Sequence, residues 1–277
     1  MVSPQSDGIG LINNQRLSNI MNVELVSQRP LISYHNLQKA SKGIKILLSE
    51  YFPIYKLSAD DLCSYYPAIN FITALVYQTD VEVESAQLDG SYFSRQDPWT
   101  SKQETILSLL REIHIEHPKI QEYLEEMGEY FRLESKLMLS EKITHTDLIR
   151  ANELRSADIR TVHCTLLQLL GLPYKQEVFD LHFPREVICE IGEDILEYQD
   201  DVKTKHFNTY KMFERLYGTE APHYLKAEIE RYQNLFQESL KQFSPDEQKI
   251  HWDIWDNCWK EFSFLVSPEK LSSYVAA

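Results

Sequence analysis

Residues 186–202, reading Glu-Val-Ile-Cys-Glu-Ile-Gly-Glu-Asp-Ile-Leu-Glu-Tyr-Gln-Asp-Asp-Val, place the strongest constraint on what this chain can fold into. The run has no proline, a single glycine and apolar residues at helical intervals. At about 100° per residue, Glu190, Asp194, Glu197 and Asp201 share a stripe roughly 60° wide. Ile188, Ile191, Ile195, Tyr198 and Val202 form a second stripe centred roughly 120° from the first. Like charges at i, i+4 oppose each other by about 0.2–0.5 kcal/mol per pair. An ordinary surface helix mixes its charges opposite its apolar face. A row of uncompensated carboxylates beside an apolar stripe therefore calls for something positive against it.

The rest of the chain offers helices to pack around this one. Only 8 glycines and 11 prolines occur in 277 residues, too few for a chain of hairpins, and the long amphipathic runs favour helix. Helices are expected over 35–50, from the Ser58 cap to about Glu84 with Pro67 near the start or at a break, and from Thr100 or Ser101 to about Glu116. Others are expected from Pro118 to about Leu139, from Thr144 through Leu170, and from Pro184 through the acidic run as far as Gly218. The last two run from Pro222 to about Phe243 and from Ser244 to about Leu265. Residues 1–30 read as a polar lead-in, and 31–277 as one all-α domain, a single helical bundle around a central apolar cavity. No repeat or Gly/Ser linker divides it.

Charge and cysteine usage exclude several classes of function. A net charge of −14 gives no basic footprint for nucleic acid. The four scattered cysteines, without a C-x-x-C, read as reduced thiols in a cytoplasmic setting. No secretory signal or apolar run of about 20 residues is visible, so stable membrane insertion is not expected. No P-loop, G-x-G-x-x-G, G-x-S-x-G or repeated Glu-x-x-His signature occurs. Trp252, Trp255 and Trp259 recur on one helix face, as core or a homodimer surface.

A second acidic site closes the helix that precedes it in the chain. Asp80 and Glu84 share a face after the nearly all-apolar 67–76, while Glu82 points away. Hard cations such as Mg²⁺ take oxygen ligands and share them with substrate phosphates. Two carboxylate faces across a bundle would let an acidic protein grip a diphosphate. The competing account is a non-enzymatic helical scaffold or adaptor whose solvated acidic face docks a basic partner.

In these motifs the chain resembles the class I isoprenoid synthases, the terpene cyclases and trans-prenyltransferases. Glu193-Asp194-Ile-Leu-Glu197-Tyr-Gln-Asp-Asp201 keeps the spacing of their second metal motif, between N-D-x-x-S-x-x-x-E and D-D-x-x-D. Asp80-Val-Glu-Val-Glu84, reading D-x-x-x-E, keeps the spacing of the sparser D-x-x-x-D form of the first. Arg155, followed by Ser-Ala, is similar to the arginine that senses the substrate diphosphate. Arg231-Tyr232 is similar to a pair near the end of many cyclases. The resemblance implies an isoprenoid diphosphate substrate and Mg²⁺ held by Asp80, Glu84, Glu193, Asp194, Glu197 and Asp201. It also implies that Arg155 and Lys205 grip the diphosphate. A terpene cyclase is the first expectation, and a chain-elongating or head-to-head condensing prenyltransferase the alternative. Val81 in the first motif, and the missing Asn and Ser of the second, depart from the family pattern.

Overall fold

The computed structural model describes residues 31–94 and 97–275, and every regular element among them is helical. The polar lead-in 1–30 lies outside the described residues. The helices are α1 (Tyr34–Glu50), α2 (Phe52–Tyr55), α3 (Ala59–Cys63), α4 (Tyr66–Leu88), α5 (Pro98–Glu112), α6 (Pro118–Leu139) and α7 (His145–Arg155). They continue with α8 (Ala157–Leu169), α9 (Gln176–Thr204), α10 (Thr209–Tyr217), α11 (Ala221–Leu240), α12 (Pro245–Glu261) and α13 (Pro268–Val275). None of the described helices is long and apolar enough to cross a membrane.

Local chemistry sets most boundaries. Pro118 occupies the first turn of α6, where its missing N–H costs nothing, and the His117 ring accepts from Lys119 N–H at 3.2 Å. Ser244 and Glu247 form a reciprocal capping box on α12. Asp97, rather than Thr100 or Ser101, caps α5 by accepting from Trp99 N–H at 2.9 Å. The helix expected over 144–170 breaks at the buried Ser156, leaving Arg155 as the last residue of α7.

The acidic helix is longer at its start and shorter at its end than expected. α9 begins at Gln176, with Pro184 inside it, because Val178, Phe179, Leu181 and His182 of its first turns are buried. That packing offsets the one backbone bond Pro184 cannot make. The helix stops at Thr204, where Lys205 adopts a left-handed conformation with φ 62°. Asn208 then caps α10, accepting from Lys211 N–H at 3.2 Å.

Two apolar cores flank α9. One gathers α1–α6, α8 and the start of α9 around Ile69, Ile72, Leu75, Ile106, Leu124 and Leu166. The other gathers α9–α13 around Ile188, Ile191, Phe213, Tyr232 and Phe236. Trp255 stacks on Phe236 at 4.0 Å within it and is buried, whereas Trp259 is half-buried and Trp252 exposed, so only part of the tryptophan face of α12 is core.

Candidate functional site

A cavity of about 420 Å³ lies where α1, α4, α6, α8, α9 and α12 meet the end of α7. That is within the roughly 300–1,000 Å³ typical of small-molecule sites. Its walls combine Ile44, Val76, Met127 and Val162 with the aromatic rings of Tyr77, Tyr130, Phe131 and Phe262. Gly43 has no Cβ to collide with the Tyr77 hydroxyl, which lets α1 lie close against α4. Lys39 Nζ stands 4.6 Å over the Tyr77 ring.

Both acidic helices open onto this space. Asp80 from α4 and Glu190, Glu193 and Glu197 from α9 line it together with Arg155. Glu84 lies one turn beyond Asp80, where its carboxylate is 3.3 Å from His206 Nδ1 in the turn after α9. Glu82 points the other way and pairs with Lys102 at 3.2 Å. The expected i, i+4 geometry of Asp80 and Glu84 therefore directs them to the α9 side.

Arg155 supplies the positive charge that the stripe on α9 demands. Its Nε is 2.8 Å from Glu190 Oε2, and its Nη1 donates to Asp194 Oδ1 at 2.6 Å. Burial alone would depress its basicity, but Asp194 and Glu190 hold it well above the ordinary arginine range. Asp158, three residues after Arg155, lines the cavity and accepts from Ile159 N–H at 2.6 Å.

Asp194 is an internal anchor. Only 2% exposed, it uses Oδ1 for Arg155 and Oδ2 for the Thr209 N–H at 2.7 Å. Asn208 donates from Nδ2 to the Asp194 backbone carbonyl at 2.5 Å and to Asp201 Oδ2 at 2.9 Å. The turn after α9 is thereby folded back onto the acidic face.

The remaining expected residues are distributed around this centre. Asp201 is half-buried at the Asn208 end. Lys205 is exposed and is not among the cavity-lining residues. Arg231 lies over the Tyr232 ring at 4.1 Å, and both contact Glu153 away from the cavity.

Burial raises most of these acids. Glu193, on the exposed rim, is pushed up to about 8 by partial burial and by Glu190. Glu84 is raised to about 7 by burial and by Asp80, and Asp158 to about 7 by burial and by Glu190. Asp201 reaches about 6 through burial, against the pull of Asn208. Asp80 and Glu190 move upward as well, burial outweighing Lys39 and Arg155. Charged carboxylates here lack enough opposing charge.

This donor set, hard oxygens with excess negative charge, suits a divalent cation such as Mg²⁺. Among the described residues, no three His, Cys, Asp or Glu side chains converge as a ready metal cluster. His163 and His182 are both buried, and His182 bonds to His251 at 3.0 Å.

Glu190 lies on the stripe read from the sequence but outside the expected metal ligands, and Lys39, Glu186 and Asp158 join it in lining the cavity. The stripe itself contained the signal for Glu190. Nothing local marks Lys39, which reaches the cavity from another helix. Comparison with known proteins finds no family model, no curated protein and no solved structure that matches this chain.

Proposed function

We propose that the protein is a Mg²⁺-dependent class I isoprenoid synthase, a terpene cyclase that ionises an allylic isoprenoid diphosphate and cyclises the resulting cation. One observation carries the reading: Asp80 of α4, Glu190, Glu193 and Glu197 of α9 and the guanidinium of Arg155 line the same cavity as four aromatic rings.

Asp80, Glu84, Glu193, Glu197 and Asp201 would hold Mg²⁺, with Asp194 positioning Arg155. When bound, the ions neutralise the diphosphate and make it a better leaving group. A guanidinium has five N–H donors, so Arg155 keeps some for a diphosphate while it holds Glu190 and Asp194. The allylic C–O bond breaks with its electron pair leaving on the diphosphate. The faces of Tyr77, Tyr130, Phe131 and Phe262 then stabilise the cation, as π-faces do. The apolar walls keep water from capturing it. Lys39 and the turn carrying His206 stand at the same end as the carboxylates, where the diphosphate would sit.

The test is diphosphate release from geranyl, farnesyl and geranylgeranyl diphosphate, with and without Mg²⁺. Release with at least one of them, lost in Asp80→Ala and Glu197→Ala proteins of unchanged helicity, is expected. No release with any of the three would overturn the proposal. Consumption of isopentenyl diphosphate would move the assignment from cyclase to chain elongation.

A further inference from the structure

The cavity holds more carboxyl groups than a cation clamp uses, and one of them stands apart from it. Asp80, Glu193 and Glu197 line the space as the proposed Mg²⁺ ligands. Glu190 is held by Arg155 Nε at 2.8 Å. Glu186 is sealed off, its side chain 0% exposed, where it accepts from the Tyr51 hydroxyl and lies 3.5 Å from Arg160 Nη1. Glu261 is exposed on the rim, in reach of bulk water. Asp158 remains. It is half-buried, lines the cavity, and enters no ion pair among the described residues.

The break in the chain at Ser156 sets this carboxyl in place. Because α7 ends at Arg155, Asp158 falls in the first turn of α8, where its Oδ1 accepts from the Ile159 N–H at 2.6 Å. The partial positive charge of a helix start favours a carboxylate there. Ile159 and Val162 of the same helix line the cavity with it, so the carboxyl heads an otherwise apolar wall. Asp158 lies three residues beyond Arg155, at most about 11 Å of chain. It therefore serves carbons close to the diphosphate grip. Burial and Glu190 raise it to about 7, near the value that suits a general base in neutral solution.

We infer that Asp158 is the base that ends the reaction, drawing a proton from the carbocation so that the product leaves as an olefin. This rests on the isoprenoid reading of the same cavity. The step balances without an oxidant or a second substrate. A C–H bond next to the cationic carbon breaks, and its electron pair becomes the new C=C π bond. The proton goes to the Asp158 carboxylate and passes to water once the product has left. Without that carboxylate the cation persists until water reaches it. The water oxygen then forms a C–O bond, sheds a proton to the solvent and gives an alcohol.

The experiment uses the full chain with Mg²⁺ and geranyl, farnesyl and geranylgeranyl diphosphate in water labelled with heavy oxygen. Diphosphate release is followed by a coupled assay, and products are identified by gas chromatography and mass spectrometry. The wild type should yield unlabelled olefin. In Asp158→Asn, release should persist at a reduced rate while the olefin-to-alcohol ratio falls at least ~10-fold, with the label in the alcohol. Asp158→Glu should recover part of the olefin, and Asp158→Ser gives the same test if the Asn protein loses its helicity. An unchanged ratio in Asp158→Asn would overturn the inference and leave the diphosphate itself as the base. Release and olefin falling in proportion would also overturn it, since Asp158 would then only position Arg155. Release with alcohol as the sole wild-type product would overturn the role of Asp158 alone. No release by the wild type with any of the three would overturn the isoprenoid reading, and this inference with it.

Discussion

Replacing Glu134 with glutamine isolates one buried acid behind the cavity wall. Glu134 is 3% exposed, and burial pushes its carboxyl from an ordinary 4.5 up to about 8, with Asp80 adding to the rise. It accepts from the Tyr130 hydroxyl at 3.3 Å and from Gln87 Nε2 at 3.1 Å, so it also positions a ring that lines the cavity. Because the folded state holds this proton more tightly, its stabilising effect is complete below the unfolded value near 4.5. The effect is lost as pH rises from there to about 8. At about 1.4 kcal/mol per pH unit, the loss has an upper limit of roughly 5 kcal/mol. Glutamine removes the charge but turns an N–H₂ towards one of the two donors, a cost of about 1–3 kcal/mol. Urea unfolding of both proteins from pH 4.5 to 9 should show Glu134→Gln gaining on the wild type by at least ~2 kcal/mol across that range. It should be the less stable protein at the acidic end. A stability difference that stays flat from pH 4.5 to 9 would refute the assignment of a buried, raised carboxyl at this position.

Asp194→Ala strands part of the Arg155 charge and the Thr209 N–H, and should cost about 3–5 kcal/mol in urea unfolding. A loss under ~1 kcal/mol would contradict its role as anchor. Gly192→Ala must displace the buried Phe262 ring, and is expected to destabilise by about 1–3 kcal/mol. Pairing it with Phe262→Leu should recover part of that loss, and strictly additive losses would argue against the contact. Asn208→Ala removes the cap of α10 and the tie to Asp201, for about 1–2 kcal/mol. Its thermal midpoint should fall accordingly, and an unchanged midpoint would contradict the tie.

Helices whose ends carry their own chemistry were legible in the chain. Pro118 marks the start of α6 and the Ser244 capping box that of α12, as expected. Boundaries set by distant packing were not. Pro184 reads as a helix start, yet α9 begins eight residues earlier because its first turns are buried against α2, α8 and α12. The break at Ser156 has no strong local signal, whereas α13 opens on Ser267-Pro268, with Ser267 Oγ accepting from Lys270 N–H at 3.2 Å, a local cap that the expected helices did not include. The acidic stripe was legible as a charge in need of a partner, and Arg155 fills that role. Its pairing with Glu190 and Asp194 crosses 35 and 39 residues of chain, and only the tertiary fold sets that distance. The same holds for Lys39, which reaches the cavity from a helix more than 100 residues before α9.

The central claim is that the carboxylates of α4 and α9 act as one clamp with Arg155. The most direct measurement is thermal unfolding with Mg²⁺, with inorganic diphosphate, and with both together. The clamp predicts a clear rise in midpoint only when both are present, at concentrations well above their dissociation constants. That rise should vanish in Asp80→Asn and Glu197→Gln proteins alike, since each removes one wall of the clamp. A rise that survives either substitution, or none in the wild type with both ligands, would contradict the claim.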